Sequence, residues 1–118
     1  TNWKIVNKNV KMFLTLPLDS VKIHTTITIV SILDMFSLAK YYLELLEINK
    51  SCDFVIHTVK GAIDRVSNKN ISILYMNKEE ATIALDQVEK SLAILTEPNF
   101  DQVRIELESY KKLCYTKL

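Results

Sequence analysis

Val21-Lys22-Ile23-His24-Thr25-Thr26-Ile27-Thr28-Ile29-Val30 is the stretch on which the fold of this 118-residue chain turns. Val21, Ile23, Thr25, Ile27 and Ile29 alternate, and the β-branched run from Thr25 to Val30 favours a strand. A strand needs a neighbour to satisfy its backbone. The other alternating run, Ile71-Ser72-Ile73-Leu74-Tyr75, is short. Asp19 or Ser20 offers a helix cap, and no Gly or Pro stands between Val21 and Ile48. Leu33, Phe36, Lys40, Leu43 and Leu46 then recur at helical spacing. Residues 21–48 are therefore read as one long helix, with 21–30 the part over which the two patterns compete.

Trp3, Val6, Val10 and Phe13 place one apolar stripe on a short helix that Pro17 stops, with Lys4, Lys8 and Lys11 on its other side. Ser51 reads as the cap of a third helix in which Cys52, Val55, Val59, Ala62 and Val66 repeat at three and four and Gly61 permits a close crossing. Ser67-Asn68-Lys69-Asn70 breaks it. Asn77 and Glu80 have the form of a capping box ahead of Ala81, Ala84, Leu85, Val88, Leu92 and Leu95. After Pro98, Asn99 reads as the cap of a last helix lined by Val103, Leu107, Tyr110 and Cys114. The expectation is an all-α fold over a single domain, residues 1–118: a bundle of four main helices plus a short N-terminal helix.

Composition narrows the function classes. One glycine leaves no phosphate-cradling loop and no nucleophile elbow, both of which need glycines at fixed offsets. Fifteen basic against fourteen acidic residues give no positive field of the kind that nucleic acid demands. The apolar middle from Ile23 to Leu33 is too short to cross a bilayer and is closed by Asp34. No nucleic-acid or membrane partner is expected. The chain opens on Thr rather than Met, as a processed secreted protein would, and so would a trimmed one. Two sequons, Asn49-Lys50-Ser51 and Asn70-Ile71-Ser72, fall at candidate connections.

The two cysteines carry the most chemical information. An even pair forms a bridge in an extracellular domain and stays reduced in cytosol. A Cys52–Cys114 disulfide would close a loop of about sixty residues and stabilise the fold by about 4 kcal/mol through the unfolded chain. In an up-down-up-down bundle the two residues would lie at opposite ends. A bridge thus requires residues Asn68 to Met76 to run extended along the bundle as a crossover, which is the expectation adopted.

No catalytic or metal-binding constellation is visible. His24 and His57 are the two imidazoles, neither with a partner at zinc spacing. Asp53 lies four residues before His57, a helical surface pair rather than a dyad. Glu79, Glu80, Glu89, Glu106 and Glu108 lack the Glu-x-x-His pattern of a di-iron bundle. No cofactor and no enzymatic activity are expected. Trp3 reads as a lid on the bundle or as an exposed anchor for a partner.

The absent initiator Met, the length, the helical pattern and the single cysteine pair, Cys52 with Cys114, resemble the small salivary proteins of anopheline mosquitoes that include albicin and anophensin. The resemblance implies a secreted, disulfide-bonded inhibitor that binds the alternative-pathway complement C3 convertase of a host and blocks it without catalysis. Heavy Ile, Lys and Asn usage points instead to an AT-rich genome. It prompts the alternative of an intracellular adaptor resembling the poxvirus Bcl-2-like proteins, which hold a partner helix in a groove.

Overall fold

Residues 21–27 are a strand, because a second strand lies beside them. The computed structural model describes residues 2–17, 19–59, 63–64, 69–70 and 72–118. In chain order the elements are α1 (Trp3–Leu14), β1 (Val21–Ile27), α2 (Ile29–Ile32), α3 (Met35–Ile48), β2 (Cys52–Thr58), β3 (Ile63–Asp64), β4 (Lys69–Asn70), α4 (Lys78–Ile94) and α5 (Asp101–Thr116). Short 3₁₀ turns occupy Ile73–Tyr75 and Pro98–Phe100. The all-α expectation is corrected. The molecule is mostly helical, but β1 and β2 form a parallel pair in register from Val21↔Cys52 to Ile27↔Thr58.

The reason lies in the partner. Cys52-Asp53-Phe54-Val55-Ile56-His57-Thr58 also has a period of two: Cys52, Phe54 and Ile56 are buried, and Asp53 and His57 are exposed. Two seven-residue strands thus exist where the helical reading placed half of one helix and the start of another. Each supplies the backbone partner that the other lacked. Parallel strands need a long crossover, and α2 with α3 provides it. Thr28 caps α2 through a capping box with Ser31.

The sheet buries one face. Tyr42 of α3 packs on Phe54 with ring centroids 4.7 Å apart, and Phe54 on Phe100 at 4.9 Å. Tyr42 donates to the Thr25 hydroxyl at 2.6 Å, and the Tyr110 and Thr58 hydroxyls are 2.6 Å apart, so each buried phenol is satisfied from a strand. Behind them α4 and α5 close the core through Ala81, Ala84 and Val88 on one helix and Val103, Leu107 and Tyr110 on the other. The Asn77–Glu80 capping box forms as the sequence predicts. Asn99 does not cap α5. Its amide donates to the carbonyls of Lys50 and Cys52 at 3.1 and 2.8 Å, pinning the entry to β2.

The expected disulfide is corrected too: Cys52 and Cys114 are buried free thiols. The strand runs alongside α5 in the same sense, with Asn99 at Cys52, Gln102 at Ile56 and Tyr110 at Thr58. Cys114 lies at the far end of α5, about 20 Å from Cys52 at 1.5 Å per residue. A bridge needs Cα atoms within about 7 Å. Nor does an extended crossover run from Asn68 to Met76. Lys69–Asn70 pairs antiparallel with Ile63–Asp64, and Ile73–Tyr75 is a 3₁₀ turn. Asn68 and Ile71, like Gly61, lie outside the described residues.

Candidate functional site

The two edges of the parallel pair are treated unequally. On β2 the outer edge is covered by the side-chain amide of Gln102, which accepts from Ile56 N–H at 2.8 Å and donates to Ile56 C=O at 2.9 Å, as a third strand would. On β1 the outer edge meets no further strand among the described residues. Val59 N–H donates to Ile27 C=O, so Ile27 turns its backbone toward β2. In a parallel ladder alternate residues face the same side, so Val21, Ile23 and Thr25 do likewise. Lys22, His24 and Thr26 then direct their N–H and C=O groups outward. No protein group meets these groups among the described residues.

Beside this edge lies an apolar groove of about 370 Å³ between α1 and β1, lined by Val10, Phe13, Leu14, Val21 and Ile23. The helix that forms its wall is lightly held. Only Leu14 of α1 is buried, while Ile5, Met12 and Phe13 each keep more than half of their surface exposed. Its ties to α3 are polar or aromatic: Tyr41 donates to Asn7 at 2.7 Å, Lys11 and Glu44 are 3.2 Å apart, and Trp3 meets the Tyr41 ring edge-on at 5.3 Å. Trp3 leans on α3 through that contact and is 59 % exposed. Another cleft, of about 880 Å³, opens between α1 and α3, lined by Trp3, Asn7, Tyr41 and Glu44 among others; neither histidine lines it.

The open face of the sheet carries Lys22, His24 and Thr26 from β1 and Asp53 and His57 from β2. His24 and His57, read from sequence as separate, are brought together: Nδ1 of His24 is 2.8 Å from Nε2 of His57. Asp53 and His57, read as one helical turn apart, are about 13 Å apart along a strand. The signal for the histidine pair was present in the two alternating runs, but it has meaning only once they are known to be neighbours.

Burial pushes the Cys52 thiol up to about 11, aided by nearby Asp53, and pushes Cys114 upward as well. Both are held as thiols, the unreactive form. Among the described residues no group of three or more His, Cys, Asp or Glu is placed to hold a metal, and no helix is long and apolar enough to cross a membrane. The chain matches no family model, no curated protein and no solved structure.

Proposed function

We propose that this protein is a non-catalytic binding module that takes an extended segment of a partner protein onto the outer edge of β1. The observation that carries the reading is the asymmetry of the sheet: β2 is closed by Gln102, whereas β1 offers the backbone groups of Lys22, His24 and Thr26 beside an apolar groove. Strand addition supplies affinity through main-chain hydrogen bonds and specificity through alternate side chains. A segment paired with β1 would send one set of side chains toward Val10, Phe13 and Ile23. The other set would lie beside Lys22 and His24. The chemistry that fits is an alternation of apolar and acidic residues.

Thr26→Pro tests this. Proline removes one outward N–H and leaves the β1–β2 hydrogen bonds untouched, since edge strands accept proline where the N–H faces solvent. Peptides selected from a randomised extended library should alternate apolar and acidic residues and lose at least about tenfold in affinity for the variant. Thr26→Ala should bind as the parent does. Selected peptides that bind Thr26→Pro unchanged, or a parent that pairs through β1 with its own second copy instead, would overturn the proposal.

The convertase inhibitor implied by the resemblance would be one case of such a binder, but an all-helical chain and a cystine, which prompted it, are not features of this fold. Complete lysis in an alternative-pathway haemolysis assay at micromolar protein would remove it.

A further inference from the structure

We infer that His24 and His57 form a chelating pair for a divalent transition metal of tetragonal preference, copper(II) foremost. The two rings are parallel to within 5°, and their centroids are 5.1 Å apart while the facing nitrogens approach to 2.8 Å. Those distances are compatible only if the rings meet edge to edge in nearly one plane rather than face on face. Nδ1 of one ring and Nε2 of the other are therefore aimed at each other across a single shared proton. Two nitrogens in cis positions at about 2.0 Å from a metal are separated by about 2.8 Å. The spacing already matches. Each ring must swing by roughly 45° to turn its lone pair from its neighbour to a common metal, a rotamer motion open to exposed side chains.

The backbone fixes this spacing. His24 pairs with Val55 and Thr26 with His57, so the histidines are diagonal neighbours on one face, on strands joined by a full ladder. The chelate is thus organised by main chain, and a metal there would tie β1 to β2. Among the described residues no helix packs on this face. The charged groups on it are Lys22 and Asp53, directly opposite in register and offsetting each other. The described residues supply only these two ligands, so water would complete the coordination sphere and the site would be open. Metal would displace the proton between the rings.

The test is a copper(II) sulfate titration of the full chain in non-coordinating buffer, followed by electron paramagnetic resonance and by thermal unfolding. The expected result is one copper per chain with a two-nitrogen signature and a rise in Tm. His24→Gln and His57→Gln should each weaken binding at least about tenfold, and the double variant no more than slightly beyond either single one, because half a chelate is no chelate. Both positions are exposed, so the variants should fold as the parent does. Copper bound equally by parent and double variant, or single variants whose losses simply add, would overturn the assignment.

Discussion

Gln102 shows how much one side chain decides. Its amide replaces a strand on the outer side of β2, and Ile56, whose backbone it satisfies at 2.8 and 2.9 Å, is itself buried. Leaving a buried N–H and C=O without partners costs about 1–3 kcal/mol each in the general case. Gln102→Leu should therefore lower the urea midpoint by the equivalent of about 2–6 kcal/mol, well above the effect of an ordinary surface change. A midpoint unchanged by Gln102→Leu would show that water reaches this edge. Arg104 acts similarly for α4, donating to the carbonyls of Leu92 and Leu95 at 2.8 and 2.7 Å where the helix ends. The cysteines call for a different measurement. With both thiols buried and about 20 Å apart along α5, folded protein should resist thiol reagents at pH 8 and release two thiols on denaturation without reductant. A mass lower by two hydrogens would restore the bridge. Asn49 is also committed: its amide donates to Leu14 C=O at 3.3 Å and its side-chain oxygen accepts from Ser51 N–H at 2.9 Å. A glycan there would have to displace the contact with α1.

At the scale of elements, α1 and β1 are the two whose environment differs most from the rest. Helix α1 is bound by a few polar contacts and by Leu14, the one residue it buries, so its local opening should cost much less than global unfolding. Hydrogen exchange should find its amides less protected than those of α3, α4 and α5, with α4 and α5 exchanging only on global unfolding. Leu14→Ala should release α1 further at about 2–4 kcal/mol, with most of the loss confined to that helix. The strands show why periodicity alone was ambiguous. In β2 and the residue after it, Cys52, Val55 and Val59 satisfy a helical spacing while Cys52, Phe54 and Ile56 satisfy a strand's, and both patterns are apolar. Helix α4 had no such competitor, since Ala81, Ala84 and Val88 fit only one period and the Asn77–Glu80 box marks its start.

For the whole molecule, the buried phenols and thiols set an alkaline limit. Burial pushes the Tyr42 hydroxyl up to about 12 against its hydrogen bond to Thr25, and Cys52 up to about 11; Tyr110 and Cys114 move the same way for the same reason. In the unfolded chain these groups ionise at their ordinary values of 10.0 and 9.0, so the fold holds protons that the unfolded chain releases. Stability should be full below pH 9 and decline as pH rises to about 12, a loss that Tyr42→Phe should lessen in urea titrations at pH 11. A flat profile over that range would mean that the core admits water. Local signals in the sequence were enough for α1, the later part of α3, α4 and α5, because caps and helical spacing act within a few residues. The Asn99 amide, the Gln102 edge, the histidine pair and the reduced cysteines were not legible there. Each depends on which segments lie side by side, and a strand's backbone is satisfied only by a neighbour distant in sequence. That pairing, settled by the packing of α3 and α5 on one face of the sheet, turned two half-helical patterns into β1 and β2 and left the outer edge of β1 without a neighbour among the described residues.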